Sequence, residues 1–137
     1  WGIETYSMDT ASDGGAARVA RRENILAREN SENEESLLIG KLLTDGTNRL
    51  SRELAMEVQE CVVRRLSETY GADSVRDLGA RTALFYVLVS TRMPAILFES
   101  SFVSNAEDEK KLRTPHFQQV EADAIVEAVG RWLERQE

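Results

Sequence analysis

The chain has 137 residues, which is enough for one ordinary domain or a large piece of one and excludes a multidomain protein. Its 17 Lys and Arg residues against 24 Asp and Glu residues give a formal net charge of −7, which disfavours nucleic acid or an anionic membrane as the main partner. The single cysteine, Cys61, excludes an intramolecular disulfide, and the single histidine, His116, excludes any site that needs two imidazoles from this chain.

The first segment predicts a strand followed by two helices. Residues Ile3 to Met8 alternate and are rich in β-forming types, and Asp13-Gly14-Gly15 follows as a breaker. Apolar residues at helical spacing from Ala16 predict a surface helix that ends near Asn30. A capping box at residues 31–34 predicts a second helix that ends at residues 45–46. We interpret the acidic run at residues 29–35 as a solvated connection rather than a partner-binding patch.

The middle and last segments predict a buried sheet covered by helices. Residues 51–70 have one apolar side that includes Cys61, so this thiol is predicted to be a core residue rather than a nucleophile. Residues 75–79 are predicted to be a link, and the apolar runs 82–89 and 95–98 to be strands buried on both faces. The stretch from 82 to 98 is broken by Arg92 and Pro94, so it is too short to cross a bilayer.

A last helix is predicted to be capped by Thr114, with Pro115 at its first position. The residues predicted for its inner face are Val120, Ala124, Ile125, Ala128, Trp132 and Leu133. The predicted fold class is therefore α/β, with a mixed, largely buried sheet covered by helices on both faces.

Candidate chemistry lies where the second apolar run ends, at Glu99. Catalytic groups gather at the carboxyl ends of strands in α/β sheets, and a partly buried carboxylate has a raised pKa. The alternative is a rim acid that pairs with Arg92 or Arg113. The polar residues that follow are candidates either for substrate binding or for ordinary turn hydrogen bonds; they are Ser100, Ser101, Ser104 and Asn105. A lone histidine such as His116 is more often a surface or capping residue than a ligand.

Four blocks together resemble the zinc-dependent N-acetylmuramoyl-L-alanine amidases of bacterial cell walls; they are residues 2–6, 17–24, 51–59 and 93–105. The last block is the most specific, because its apolar strand ends in Glu99 and is followed by a small residue, Phe, Ser-Asn and an acidic helix start. The resemblance implies that Glu99 is the carboxylate that takes and returns a proton, while zinc activates water and the scissile carbonyl. The implied substrate is the amide between N-acetylmuramic acid and L-alanine in peptidoglycan, cleaved in the periplasm or outside the cell.

The resemblance also implies what this chain lacks. The family's zinc is held by two histidines and a glutamate that precede the block at residues 2–6, so residues 1–137 are expected to be the C-terminal portion of one catalytic domain and to be inactive alone. A noncatalytic cell-wall or partner-binding module on the same scaffold is the alternative. Division amidases of this family can carry a helical plug released by an activator protein, and residues 24–48 occupy that place. The alternative is that residues 24–48 form an ordinary pair of helices that covers the domain.

Overall fold

The structure, a computed structural model, describes residues 2–9, 12–27, 45–89 and 91–137. Its strands are β1 (Ile3–Met8), β2 (Asp77–Ala83) and β3 (Leu97–Glu99). Its helices are α1 (Gly14–Ala27), α2 (Asp45–Tyr70), α3 (Tyr86–Val89), α4 (Ala106–Leu112) and α5 (Pro115–Glu134), and a short 3₁₀ turn spans Ala72–Ser74. No helix in these ranges is long and apolar enough to cross a membrane.

Strand β1 lies in the middle of a three-stranded sheet. The strand order is β2-β1-β3, with β2 parallel and β3 antiparallel to β1. All six residues of β1 are buried, because both faces of the strand are covered. The predicted mixed sheet within an α/β fold is confirmed.

The alternation of β1 divides the apolar residues into two clusters. Ile3 belongs to a cluster built mainly from α2 and α5, whereas Tyr6 and Met8 belong to a second cluster with α1 and α3. Successive side chains of a strand point to opposite faces, so each cluster fills one side of the sheet. The helices therefore flank the sheet on both faces, as predicted.

Gln59 fastens β1 to α2 by hydrogen bonds inside the protein. Its side-chain oxygen accepts from the Thr5 hydroxyl at 2.8 Å, and its Nε2 donates to the Ile3 carbonyl at 2.9 Å and to Asp77 Oδ1 at 2.6 Å. One buried amide thus satisfies polar groups of both β1 and β2. These hydrogen bonds fix the position of β1 and β2 relative to α2.

The helix predictions hold in most respects. Helix α2 begins at Asp45, six residues before the predicted start, and ends at Tyr70 as predicted; Cys61 on it is buried. Helix α5 begins at Pro115 after the Thr114 cap, but Leu133 is 53% exposed, so its predicted place on the inner face is wrong. Most of the helix predicted from residue 31 and most of the segment 24–48 lie outside the described residues. The predicted end of that helix at residues 45–46 is wrong, because Asp45 begins α2.

The two strand predictions in the middle of the chain need correction. The predicted link at 75–79 contains the start of β2, and the predicted strand 82–89 ends at Ala83 and continues as α3. Asn24 of α1 explains the break, because its side chain donates to the Leu84 carbonyl at 2.7 Å and accepts from the Tyr86 amide at 2.9 Å. These backbone groups are thereby taken out of the strand ladder. The predicted strand 95–98 is shorter and shifted, since β3 covers only Leu97–Glu99 and is half-buried.

We expect the variant Gln59→Met to lower the free energy of unfolding by about 1–3 kcal/mol, because the Thr5 hydroxyl and the Ile3 carbonyl would stay buried without their partner. Chemical denaturation followed by circular dichroism measures this difference. Met56→Ala is the matched control, since Met56 lies on the same helix and is 63% exposed. Equal stability of the two variants would contradict the assigned role of the amide.

Candidate functional site

Two glutamates lie opposite each other on neighbouring strands where β3 ends. Glu99, the last residue of β3, is the direct antiparallel partner of Glu4 on β1. Directly opposite residues of an antiparallel pair project from the same face, with Cβ atoms about 4.5–5.5 Å apart. This is the face that packs against α1. We call Glu4 and Glu99 the carboxylate pair.

Glu4 is the deeper member of the carboxylate pair. Only 2% of the residue is exposed, and its Oε2 lies 3.4 Å from Nη1 of Arg81 on β2. The same guanidinium nitrogen lies 3.8 Å from Asp13 Oδ1, and Arg81 Nε donates to the Leu78 carbonyl at 2.9 Å. The charge of Glu4 is therefore balanced from the neighbouring strand.

Glu99 is half-buried and less well compensated. No hydrogen bond or ion pair within 4 Å joins its carboxylate to another described residue, and Arg113 instead binds Glu109. Burial raises the pKa of Glu99 first of all, and the negative charges of Glu23 and Glu4 raise it further, while Arg22 opposes them. A carboxyl in this environment holds a proton at higher pH than an exposed one.

The polar residues after Glu99 form a tight turn into α4. The Ser100 hydroxyl donates to Glu121 Oε2 at 2.5 Å, and Ser101 has a left-handed backbone with φ of 95°. Asn105 caps α4, since its Oδ1 accepts from the amides of residues 107 and 108 at 3.1 Å. Ser104 is exposed. Ser100 and Asn105 thus have structural partners, and substrate binding by these residues stays a prediction.

A third buried carboxylate ties this turn to the start of the sheet. Asp108 of α4 is 2% exposed, and its Oδ2 accepts from the amides of Gly2 at 3.3 Å and Phe102 at 3.2 Å. Gly2 has φ of 132°, and a Cβ there would meet the Arg76 carbonyl at 2.8 Å. The chain therefore enters β1 close to the turn that follows Glu99.

Sequence reasoning missed four polar residues of this region, namely Glu4, Arg81, Asp108 and Glu121. Glu4 left a signal, because the alternation predicted for residues 3–8 places a glutamate inside a strand that had to be buried. Arg81, Asp108 and Glu121 left no such signal, since charged side chains are ordinarily exposed to solvent. His116 is exposed, as predicted, and its ring lies 5.9 Å from that of Tyr70.

The metal-binding capacity of the described residues is limited. Within ranges 2–9, 12–27, 45–89 and 91–137, no group of three or more His, Cys, Asp and Glu side chains is arranged to hold a metal ion. Zinc in proteins needs three or four such ligands. The carboxylate pair alone does not meet that requirement, so these residues do not form a zinc site by themselves.

Comparison with known families decides where the chain belongs. The profile of the family described as N-acetylmuramoyl-L-alanine amidase matches residues 2–131. The chain belongs to this family. The match includes β1, the carboxylate pair, the turn after Glu99 and most of α5.

Three relatives of this amidase-family chain are longer than it, and the chain matches only part of each. Protein YqiI of Bacillus subtilis is 34% identical over 85 residues, which are 62% of this chain and 38% of YqiI. The amidase LytC of the same organism is 35% identical over 75 residues, or 55% of this chain and 14% of LytC. The amidase AmiA of Escherichia coli is 32% identical over 117 residues, or 77% of this chain and 40% of AmiA. The chain thus spans less than half of each relative.

The environment of Glu99 in this amidase-family chain predicts a stability change with a defined pH dependence. The folded-state pKa of Glu99 is raised, so its ionised form opposes folding, and this penalty grows as the pH rises above about 4.3, the ordinary pKa of glutamate. We expect Glu99→Gln to raise Tm at about pH 8, and we expect the gain to fade below about pH 4, where both states are protonated.

Thermal unfolding of the variant and the wild type across this pH range measures the effect. Glu134→Gln is the control, because Glu134 is exposed near the end of α5. A Tm gain for Glu99→Gln that is the same at both ends of the pH range would contradict the assigned environment.

Proposed function

We propose that this protein hydrolyses the amide bond between N-acetylmuramic acid and L-alanine in peptidoglycan, with Glu99 as the general base. The observation that carries the proposal is the half-buried carboxyl at the end of β3, opposite Glu4. Membership of the amidase family, and relatives that are named N-acetylmuramoyl-L-alanine amidases, support the choice of substrate. Because peptidoglycan lies outside the cytoplasm, the proposed location is periplasmic or extracellular.

Glu99 would act on the proton of the attacking water. A general base works best when its pKa is near the working pH, and an ordinary glutamate with a pKa of about 4.3 is too weak a base for this. Burial and the charges of Glu23 and Glu4 move the pKa of Glu99 upward, in the direction this role requires. The carboxylate would take the proton as water attacks the carbonyl carbon and then give it to the leaving nitrogen of L-alanine.

The proposed reaction also involves a metal, because the family is generally zinc-dependent. Bound zinc lowers the pKa of water and polarises a carbonyl oxygen. No zinc-binding group of three ligands occurs among the described residues, and the full sequence has only one histidine. We therefore propose that the two histidines and the glutamate implied by the family resemblance are supplied from outside residues 1–137. Residues 1–137 alone are then expected to bind zinc weakly and to cleave nothing.

The turn after Glu99 is the proposed contact for the peptide stem. Ser104 is exposed and Ser101 is half-buried, and we propose that their hydroxyl groups contact the ligand. Ser100 and Asn105 would contribute mainly by holding the turn in shape, given the partners described above.

The variant Glu99→Gln, made in the zinc-loaded protein that contains this chain, is expected to lower kcat by about 10²–10⁴-fold, because amide nitrogen and oxygen cannot accept the proton as a carboxylate does. Release of stem peptides from purified sacculi measures turnover, and metal analysis should show unchanged zinc. Glu109→Gln is the matched control, since Glu109 is a surface residue of α4 paired with Arg113.

Retained turnover in Glu99→Gln would assign the base to another residue. A complete protein that binds no zinc and releases no peptides from sacculi would instead favour a noncatalytic cell-wall or partner-binding module that keeps this scaffold without the metal.

The acidic segment at residues 24–48 is proposed as a regulatory plug that an activator protein releases. The observation nearest to it is Glu23 on α1, whose charge acts on Glu99. Deleting residues 31–46 from the complete protein is expected to raise its basal peptide release from sacculi. Unchanged basal peptide release would contradict the plug and favour an ordinary pair of covering helices.

A further inference from the structure

A buried carboxyl that the proposed reaction does not use lies behind the end of β3. Glu121 sits on the inner face of α5 and is 6% exposed. Its Oε2 accepts the hydrogen bond from Ser100, while its Oε1 is buried and has no hydrogen-bond partner among the residues that the structure describes. Burial raises the pKa of Glu121 to about 7, although the hydrogen bond from Ser100 opposes the shift.

Stability alone does not account for a glutamate at this position. A buried carboxyl with one unpartnered oxygen destabilises a fold, and an apolar side chain of similar size is often neutral or stabilising in its place. The neighbours on the same helix face are apolar, with Phe117, Ala124 and Ala128 all buried. An apolar residue 121 would therefore continue the packing of this face.

The hydrogen bond from Ser100 indicates what the Glu121 carboxyl does in the fold. Phe98 packs against the cluster formed by α2 and α5, and Glu99 projects to the opposite face. Ser100 points back towards α5, where Glu121 Oε2 accepts the hydrogen bond from its hydroxyl group. Two anchors, Phe98 and Ser100, thus flank Glu99 and fix the rotation of the strand end about its axis.

The backbone changes direction immediately after this anchor. Ser101 has φ of 95°, a left-handed conformation that a non-glycine residue adopts only when its surroundings hold it there. The next backbone anchor is the Phe102 amide on Asp108. The hydrogen bond between Ser100 and Glu121 is therefore the last side-chain contact of the strand end before the turn.

We propose that Glu121 is a positioning residue, which acts through Ser100 to hold Glu99 on the face of the sheet that carries Glu4. This inference rests on the proposed function of Glu99 but has its own structural readout. Glu121 does not touch the reacting atoms.

The test compares Glu121→Leu, Glu121→Gln and Ser100→Ala in the intact, zinc-loaded protein. Glu121→Leu is expected to keep or raise Tm while kcat falls roughly tenfold to a hundredfold with little change in KM, because misplacement of a catalytic group costs about that much. Ser100→Ala should lower kcat similarly, and the double variant should be no worse than either single one. Glu121→Gln keeps an acceptor oxygen and should retain most of the activity. Asp123→Asn, at an exposed position on the same helix, is the control.

The second readout does not depend on turnover. The pKa of Glu99, followed by carbon NMR of labelled glutamate carboxyl groups, should fall towards its ordinary value in Glu121→Leu and Ser100→Ala, because a released strand end exposes the side chain. It should stay raised in Glu121→Gln and Asp123→Asn. If the wild type cleaves no muramoyl-alanine amide but these shifts occur, the proposed function fails and the positioning role stands.

Two results would overturn the inference. One is Glu121→Leu or Ser100→Ala with wild-type kcat and an unchanged pKa of Glu99. The other is a loss of activity that follows the folded fraction in every variant, which would show a purely structural role. If Glu121→Leu does not fold, Ser100→Ala and Glu121→Gln decide by the same criteria.

Discussion

The structure of this protein depends on the register between β1 and β3. Because Glu4 lies directly opposite Glu99, two carboxylates share one face of a strand whose other face is packed against apolar residues. If β1 slipped by one residue against its neighbours, Glu4 would turn into the apolar cluster formed with α2 and α5, and Ile3 would turn out of it. Burial of the strand therefore specifies this register strongly. The electrostatic character of the candidate site is thus a consequence of ordinary strand packing.

The two faces of the sheet are covered by different helices and carry different kinds of residue. On one side, α2 and α5 supply most of the apolar contacts, together with the buried amide of Gln59. On the other side, α1 covers the carboxylate pair and brings both a like charge, Glu23, and an opposite one, Arg22. The C-terminal helices then hold the turn after Glu99 through Asp108 and Glu121. The face that provides most of the apolar packing is therefore not the face that carries the proposed general base, and Glu121 adds a buried carboxyl to the apolar face.

Much of the fold follows from local patterns in the sequence. The strand at Ile3–Met8, the end of α2 at Tyr70 and the start of α5 at Pro115 carry signals that do not depend on distant residues. The apolar run at 82–89 does not, because its periodicity fits a strand or a buried helix equally well, and Asn24, some 60 residues away, decides where the strand stops.

The candidate site shows the same limit. The place of Glu99 after an apolar run and the family resemblance predict it as a candidate residue. That Glu4 lies opposite it depends on strand order, which no local pattern encodes. Arg81, Asp108 and Glu121 become visible only when β2, α4 and α5 are brought against the first strand. Distant pairings of this kind are set by the tertiary fold.

The buried thiol of Cys61 has a practical consequence. It is the single sulfhydryl of the sequence, it is 2% exposed, and it lies in the cluster where α2 meets α5. An alkylating reagent can reach it only while those two helices are apart, so the speed of alkylation under native conditions reports how often the domain opens along that seam. The alkylation rate of Cys61 therefore measures local opening on the face of the sheet opposite the carboxylate pair.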